Sequence, residues 1–149
     1  MTPQSSNIEF SQDHINKVFL ALTSTDEELT KHFDKYIFEE YDDDFPNRLD
    51  YLDIAEIARF LIAKIQTGQT GFFQKFFTQV EVILSKCDSY VGEFIVIGLF
   101  ESIQNNCGHK GIDYYQGFNK WLNPVSKQKW DDLIDGWEGK GWREKITNS

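Results

Sequence analysis

An all-α fold is predicted by three features of this chain of 149 residues. No stretch sustains the every-second-residue alternation of a half-buried strand. Apolar residues recur at three- and four-residue spacing in segment after segment, and helix start and stop signals bracket those segments. Together they predict an irregular bundle of about six or seven helices, stacked as antiparallel hairpins around a central helix near residues 89–104. The length fits one domain spanning 1–149, with short disordered ends at about 1–8 and 144–149. Folding at this size removes roughly 68–70% of the unfolded chain's surface from water, enough for a core without disulfides or metals. Thirteen Phe and four Trp supply large pieces for that core.

Each element has its own warrant. Ser11 is placed to cap a first helix whose Ile15, Val18, Phe19 and Leu22 share a face. Thr25 and Glu28 have capping-box spacing at the start of a second, with Leu29, Phe33, Tyr36 and Ile37 as its apolar stripe, and Pro46 breaks the chain after it. The third starts near Asp50 or Asp53, Asp53 and Glu56 again being spaced as a box. It carries Ile54, Ile57, Ala58, Leu61 and Ile65 and stops at Gly68. Thr70 is placed to cap the fourth, whose stripe is Phe73, Phe76, Phe77, Val80 and Leu84. The fifth, about Ser89 to Gln104, is apolar around most of its circumference, which makes it the central helix. Asn105 to Gly111 reads as a turn, 112–122 as a short helix, and Asn123 with Pro124 as the cap and first position of a last helix. That helix buries Leu133, Ile134 and Trp130 or Trp137 before Gly139 and Gly141.

The charge is unevenly distributed. Residues 1–60 hold fourteen Asp and Glu against five Lys and Arg, whereas residues 61–149 hold ten of each, so the net charge of −9 belongs to the first part. Its densest stretch is Glu39, Glu40, Asp42, Asp43 and Asp44, with Tyr41 and Phe45 beside them. Continuing the second helix's projection puts Glu40, Asp43 and Asp44 on the meridian of Leu29, Phe33 and Tyr36, at the C-terminal end. The helix dipole there favours cations by about 0.3–1 kcal/mol each. Acids at that end cost stability, so recognition explains them better than folding does. With Asp50, Asp53 and Glu56 they flank one helix-to-helix corner, and Tyr41 and Phe45 are its candidate aromatic anchors. A surface of this kind suits a basic protein partner, steered by charge.

Other chemistries are disfavoured. Cys107 and His109 lie two residues apart without a nucleophile signature around them, and Cys87, His14 and His32 add no ligand pattern, so no metal site is expected. Glu101 falls between Phe94 and Ile97 on the central helix, and Glu81 lies on the flank of the fourth. Both are expected as partly buried polar groups needing partners, and a paired-acid enzyme is the weaker reading of them. No P-loop, dinucleotide fingerprint or EF-hand spacing is present, and a pI near 4.7 disfavours direct nucleic-acid binding. The longest apolar run, Phe94 to Phe100, falls far short of the roughly 20 residues that cross a bilayer. The N-terminus has neither a basic segment nor an apolar run, which predicts a cytoplasmic protein.

Four stretches carry a family likeness: YLDIAEIARFLIAKI from Tyr51 to Ile65, FFTQVEVIL from Phe76 to Leu84 with Glu81, VIGLFESI from Val96 to Ile103 with Glu101, and LNPVSKQKWDDLIDGW from Leu122 to Trp137. In these the chain resembles a bacterial family of small helical proteins, of largely unassigned biochemistry, that includes immunity-type proteins of polymorphic toxin and contact-dependent growth inhibition systems. The resemblance implies an α-helical immunity protein that blocks a cognate toxin domain by direct binding. It brings no catalytic residues and no cofactor. The first fifty residues fall outside it, so the acidic corner rests on its own chemistry. The expectation is therefore a non-enzymatic immunity protein with a basic toxin, a nuclease, as partner. The alternative is a regulatory or scaffold protein, a nucleic-acid mimic, that occupies a basic host protein.

Overall fold

A computed structural model describes residues 8–41 and 49–139. Among them are seven helices: α1 (Ile15–Thr23), α2 (Glu27–Tyr41), α3 (Asp50–Thr67), α4 (Phe73–Ser85), α5 (89–109), α6 (Tyr114–Phe118) and α7 (Pro124–Glu138). Short 3-10 turns at Gln12–His14 and Asn119–Trp121 precede α1 and follow α6. The only extended pairing among these residues is a parallel bridge between Phe10 and Cys87. The expected disordered ends lie outside the described residues except for Ile8, which is exposed.

The predicted apolar stripes are the buried ones. Val18, Phe19 and Leu22 of α1, Leu29, Phe33 and Ile37 of α2, and Ile54, Ile57 and Leu61 of α3 all face one continuous core. Phe19 stacks on Phe33 at 5.4 Å, and Thr30 donates its hydroxyl to the Thr23 carbonyl, so α1 and α2 run antiparallel. His32 meets Glu56 while Tyr36 meets Asp53, which makes α2 and α3 antiparallel as well. At the other side of α3, Tyr51 packs edge-on against Phe94 at 5.1 Å. One turn on, Gly98 comes so close to Ile54 that a Cβ there would sit 2.8 Å from Ile54 Cγ2. The helices α3 and α5 therefore run in the same direction, at a separation only glycine permits. A second aromatic cluster joins the remaining helices: Phe118 lies 6.0 Å from Phe73 and 5.7 Å from Trp130, and Trp130 lies 5.4 Å from Phe100.

The central helix is buried along Val91, Phe94, Ile95, Leu99, Phe100 and Ile103, as its composition predicts, and its middle, Phe94–Phe100, is π-helical. It is also longer than expected. Asn105, Asn106, Cys107, Gly108 and His109 continue the helix instead of forming a turn. Cys107 is fully buried and the Asn106 side chain returns a hydrogen bond to the Ser102 carbonyl at 2.8 Å, so packing overrides the weak local propensity. Gly111, with φ of 71°, makes the turn. Gly68, with φ of 72°, ends α3 as predicted, with Gln69 N–H bonded back to the Lys64 carbonyl.

The expected caps are where sequence reasoning went astray. Thr25 does not cap α2: its hydroxyl donates to the Leu22 carbonyl at 2.6 Å, and Asp26 accepts from Leu29 N–H instead. Asp53 is an interior residue of α3 and not its cap, and the residues before α3 and α4 make no side-chain cap. Ser11 bonds the His14 ring, while the carboxylate that accepts Gln12 N–H is Asp88, which also caps α5 through Val91 N–H. Asn123 stands at the predicted start of α7, yet its amide reaches the Phe77 carbonyl.

Candidate functional site: the acidic corner between α2 and α3

Two of the ten residues expected at this corner present acid to solvent. Glu39 and Glu40, in the last turn of α2, are exposed, and Lys35 reaches Glu39 only at 3.8 Å. Asp50 opens α3 and is half-buried. Asp42, Asp43, Asp44 and Phe45 lie outside the described residues.

The other three, Tyr41, Asp53 and Glu56, are engaged by neighbours within the fold instead of being presented to a partner. Asp53 is fully buried, and its Oδ1 accepts hydrogen bonds from Tyr36 at 3.0 Å and Tyr41 at 2.6 Å. A carboxylate at that place on the helix faces the core side, so it survives only by being bonded. Tyr41 is accordingly no protruding anchor: while donating to Asp53 it accepts Leu49 N–H at 2.9 Å, pinning the end of α2 to the start of α3. Burial pushes the Tyr36 hydroxyl above its usual range, and the hydrogen bond to Asp53 and that residue's charge push it the same way. Glu56 is held at 2.7 Å by both His32 and Arg59. Burial alone would raise its carboxyl, but the hydrogen bonds from His32 and Arg59 and their charges outweigh that and leave it below the usual value. Asp53 and Tyr41 thus form the latch of the corner, and Glu56 belongs to a surface ion network on its flank.

What the sequence reading missed is apolar. Phe38 is 67% exposed, Leu49 58% and Leu52 58%, lying respectively in the last turn of α2, just before α3 and in the first turn of α3. Phe38 could have been found, because it falls 100° off the Ile37 position and so outside the buried stripe. Leu49 and Leu52 could not, because their exposure depends on where α3 begins.

Glu81 and Glu101 are separated in role. Glu81, half-buried on α4, reaches the first turn of α7: Oε2 accepts Val125 N–H at 3.0 Å, and Oε1 accepts Ser126 N–H at 2.9 Å and its hydroxyl at 2.8 Å. Burial raises the carboxyl, but these three donors overcome it and the net position is below the ordinary value. It is a helix cap supplied from another helix. Glu101 is half-buried on α5, and no hydrogen bond joins it to Glu81. Cys107 is buried and its thiol is pushed up to about 12 by burial and by Asp113, while His109, two residues on along the same helix, is exposed. The helix directs the two side chains to different faces.

Among the described residues no group of three or more His, Cys, Asp or Glu is placed to hold a metal ion, and no helix is long and apolar enough to cross a membrane. No curated protein matches the chain, and no solved structure matches it. A family model does match, over residues 19–138, from α1 to the end of α7. That span takes in the corner, its latch and the Glu81 cap alike, and the chain belongs to the family it describes, the domain of unknown function DUF7674.

Proposed function

We propose that the protein is an immunity protein that binds a cognate bacterial toxin domain of basic charge, a nuclease, and occludes it through the α2–α3 corner. The observation that carries this reading is the pairing at one corner of exposed acids, Glu39 and Glu40, with exposed apolar side chains, Phe38, Leu49 and Leu52. Acids raise the encounter rate with a basic surface, while buried apolar anchors supply the affinity. Neither group helps the isolated fold. Acids at a helix C-terminus are unfavourable, and each apolar side chain forgoes about 1.5–3 kcal/mol of burial while it faces water. Net charge and the likeness to immunity-type proteins support the same partner class.

The test is co-purification of the full chain with the C-terminal domain of a toxin encoded immediately upstream of its gene. Binding should weaken on Phe38→Ala, on Leu52→Ser and on the double change Glu39→Gln with Glu40→Gln, and should fall with added salt. Affinity that ignores all three would remove the corner from the interface. Recovery of a chromosomal DNA-binding protein, with no toxin encoded nearby, would favour the nucleic-acid mimic instead.

A further inference from the structure

A second site lies at the other end of the bundle. The C-terminal ends of α5 and α7 come together there around a pocket of about 390 Å³, whose lining includes Gln104, His109, Tyr114, Trp137 and Glu138. The helix α3 spans 18 residues, about 27 Å at 1.5 Å per residue, and its C-terminal part, at Ile65, adjoins Gly117 of α6. The pocket therefore lies toward the end of α3 opposite the α2–α3 corner.

Its chemistry selects a cation with a flat face. Trp137 is half-exposed, and its indole N–H is committed to Gln104 Oε1 at 2.8 Å, which holds the ring in place. Glu138 accepts the Tyr114 hydroxyl on Oε1 at 2.8 Å, and among the described residues its Oε2 has no hydrogen bond. The C-terminal ends of two helices add partial negative charge at the same place. Asp113 acts on the Tyr114 hydroxyl as well: burial, the Glu138 hydrogen bond and both carboxylates push that hydroxyl up to about 12. Among the described residues of the lining the basic group is His109, an exposed imidazole.

We propose that this pocket receives the guanidinium of an arginine side chain presented by a partner protein, stacked on Trp137 and paired with Glu138. A guanidinium is planar, weakly hydrated and always charged, so it meets a ring face and a carboxylate oxygen at once, where an ammonium meets only the charge. This contact does not depend on the toxin reading or on the corner.

The full chain, labelled with ¹⁵N, is titrated with N-acetyl-arginine amide while the Trp137 indole N–H is followed, that signal being assigned by its loss in Trp137→Phe. The expected result is a saturable shift confined to Trp137 among the tryptophan indoles. It should be absent with the neutral isostere N-acetyl-citrulline amide and weakened about threefold to tenfold by Glu138→Gln, which keeps an acceptor for Tyr114. Equal shifts with citrulline, no saturation, or equal movement of the buried Trp130 indole would overturn the proposal. Tighter binding of spermidine than of the arginine amide would overturn it too, by making the pocket a polyamine site.

Discussion

Replacing Glu81 by Ala removes the carboxylate that caps α7, and the cost follows from what is left behind. Val125 N–H faces solvent and recovers a hydrogen bond to water. Ser126 is fully buried, so its N–H and hydroxyl lose their acceptor without replacement. A lost cap costs about 0.5–2 kcal/mol and an unsatisfied buried donor about 1–3 kcal/mol, which together place Glu81→Ala at about 2–3 kcal/mol. For a chain of this size, that lowers Tm by about 5–10 °C. Glu81→Gln keeps one acceptor oxygen and loses the charge at a helix N-terminus, so about 1 kcal/mol is expected. The pH dependence has a defined sign. Because the folded carboxyl sits below its ordinary value of 4.5, its contribution is complete above that value and fades as pH falls through the lowered one. Thermal melts followed by circular dichroism at neutral pH and in acid make the check. A gap between wild type and Glu81→Gln that is absent at neutral pH, or that persists undiminished in strong acid, would refute the reasoning.

Four further outcomes are expected. Asp53→Ala leaves the Tyr36 and Tyr41 hydroxyls facing an apolar gap and should cost about 3 kcal/mol in chemical denaturation. Tyr41→Phe, which removes a donor to that carboxylate and the acceptor of Leu49 N–H, should cost about 1 kcal/mol. Gly98→Ala forces a Cβ to 2.8 Å from Ile54 Cγ2 and should destabilise by about 1–3 kcal/mol, partly recovered in combination with Ile54→Ala, as a double-mutant cycle would show. Cys107, fully buried with its thiol pushed up to about 12, should react with a thiol reagent only as the protein unfolds, so its labelling rate should track global unfolding.

The stripes that make the core were legible because burial leaves a periodic mark: Leu29, Phe33 and Ile37 are inside for the reason their spacing announces. The caps were not, because the decisive carboxylates come from far along the chain. Asp88 serves Gln12 and Glu81 serves Ser126, pairings that no local motif encodes. At the corner the same limit applied in reverse. Asp53 and Glu56 looked like surface acid because charge is exposed by default, and only the position of Tyr36, Tyr41, His32 and Arg59 shows that they are engaged. The exposed Leu49 and Leu52 depend on a helix boundary, the feature that sequence patterns locate least well.

The carboxylate of Asp88 also sets an order on the chain as it is made. Gln12 waits 76 residues for its acceptor, and the backbone of Phe10 closes on Lys86 and Asp88, so the segment leading into α1 can be seated only once residue 88 has been synthesised. At the far end the relation is reversed, because Glu81 precedes Ser126 by 45 residues and is in place when α7 emerges. Synthesis from the N-terminus thus leaves the segment before α1 open until the start of α5 is made, and a ribosome pause beyond residue 88 is where that segment should first gain protection from proteases.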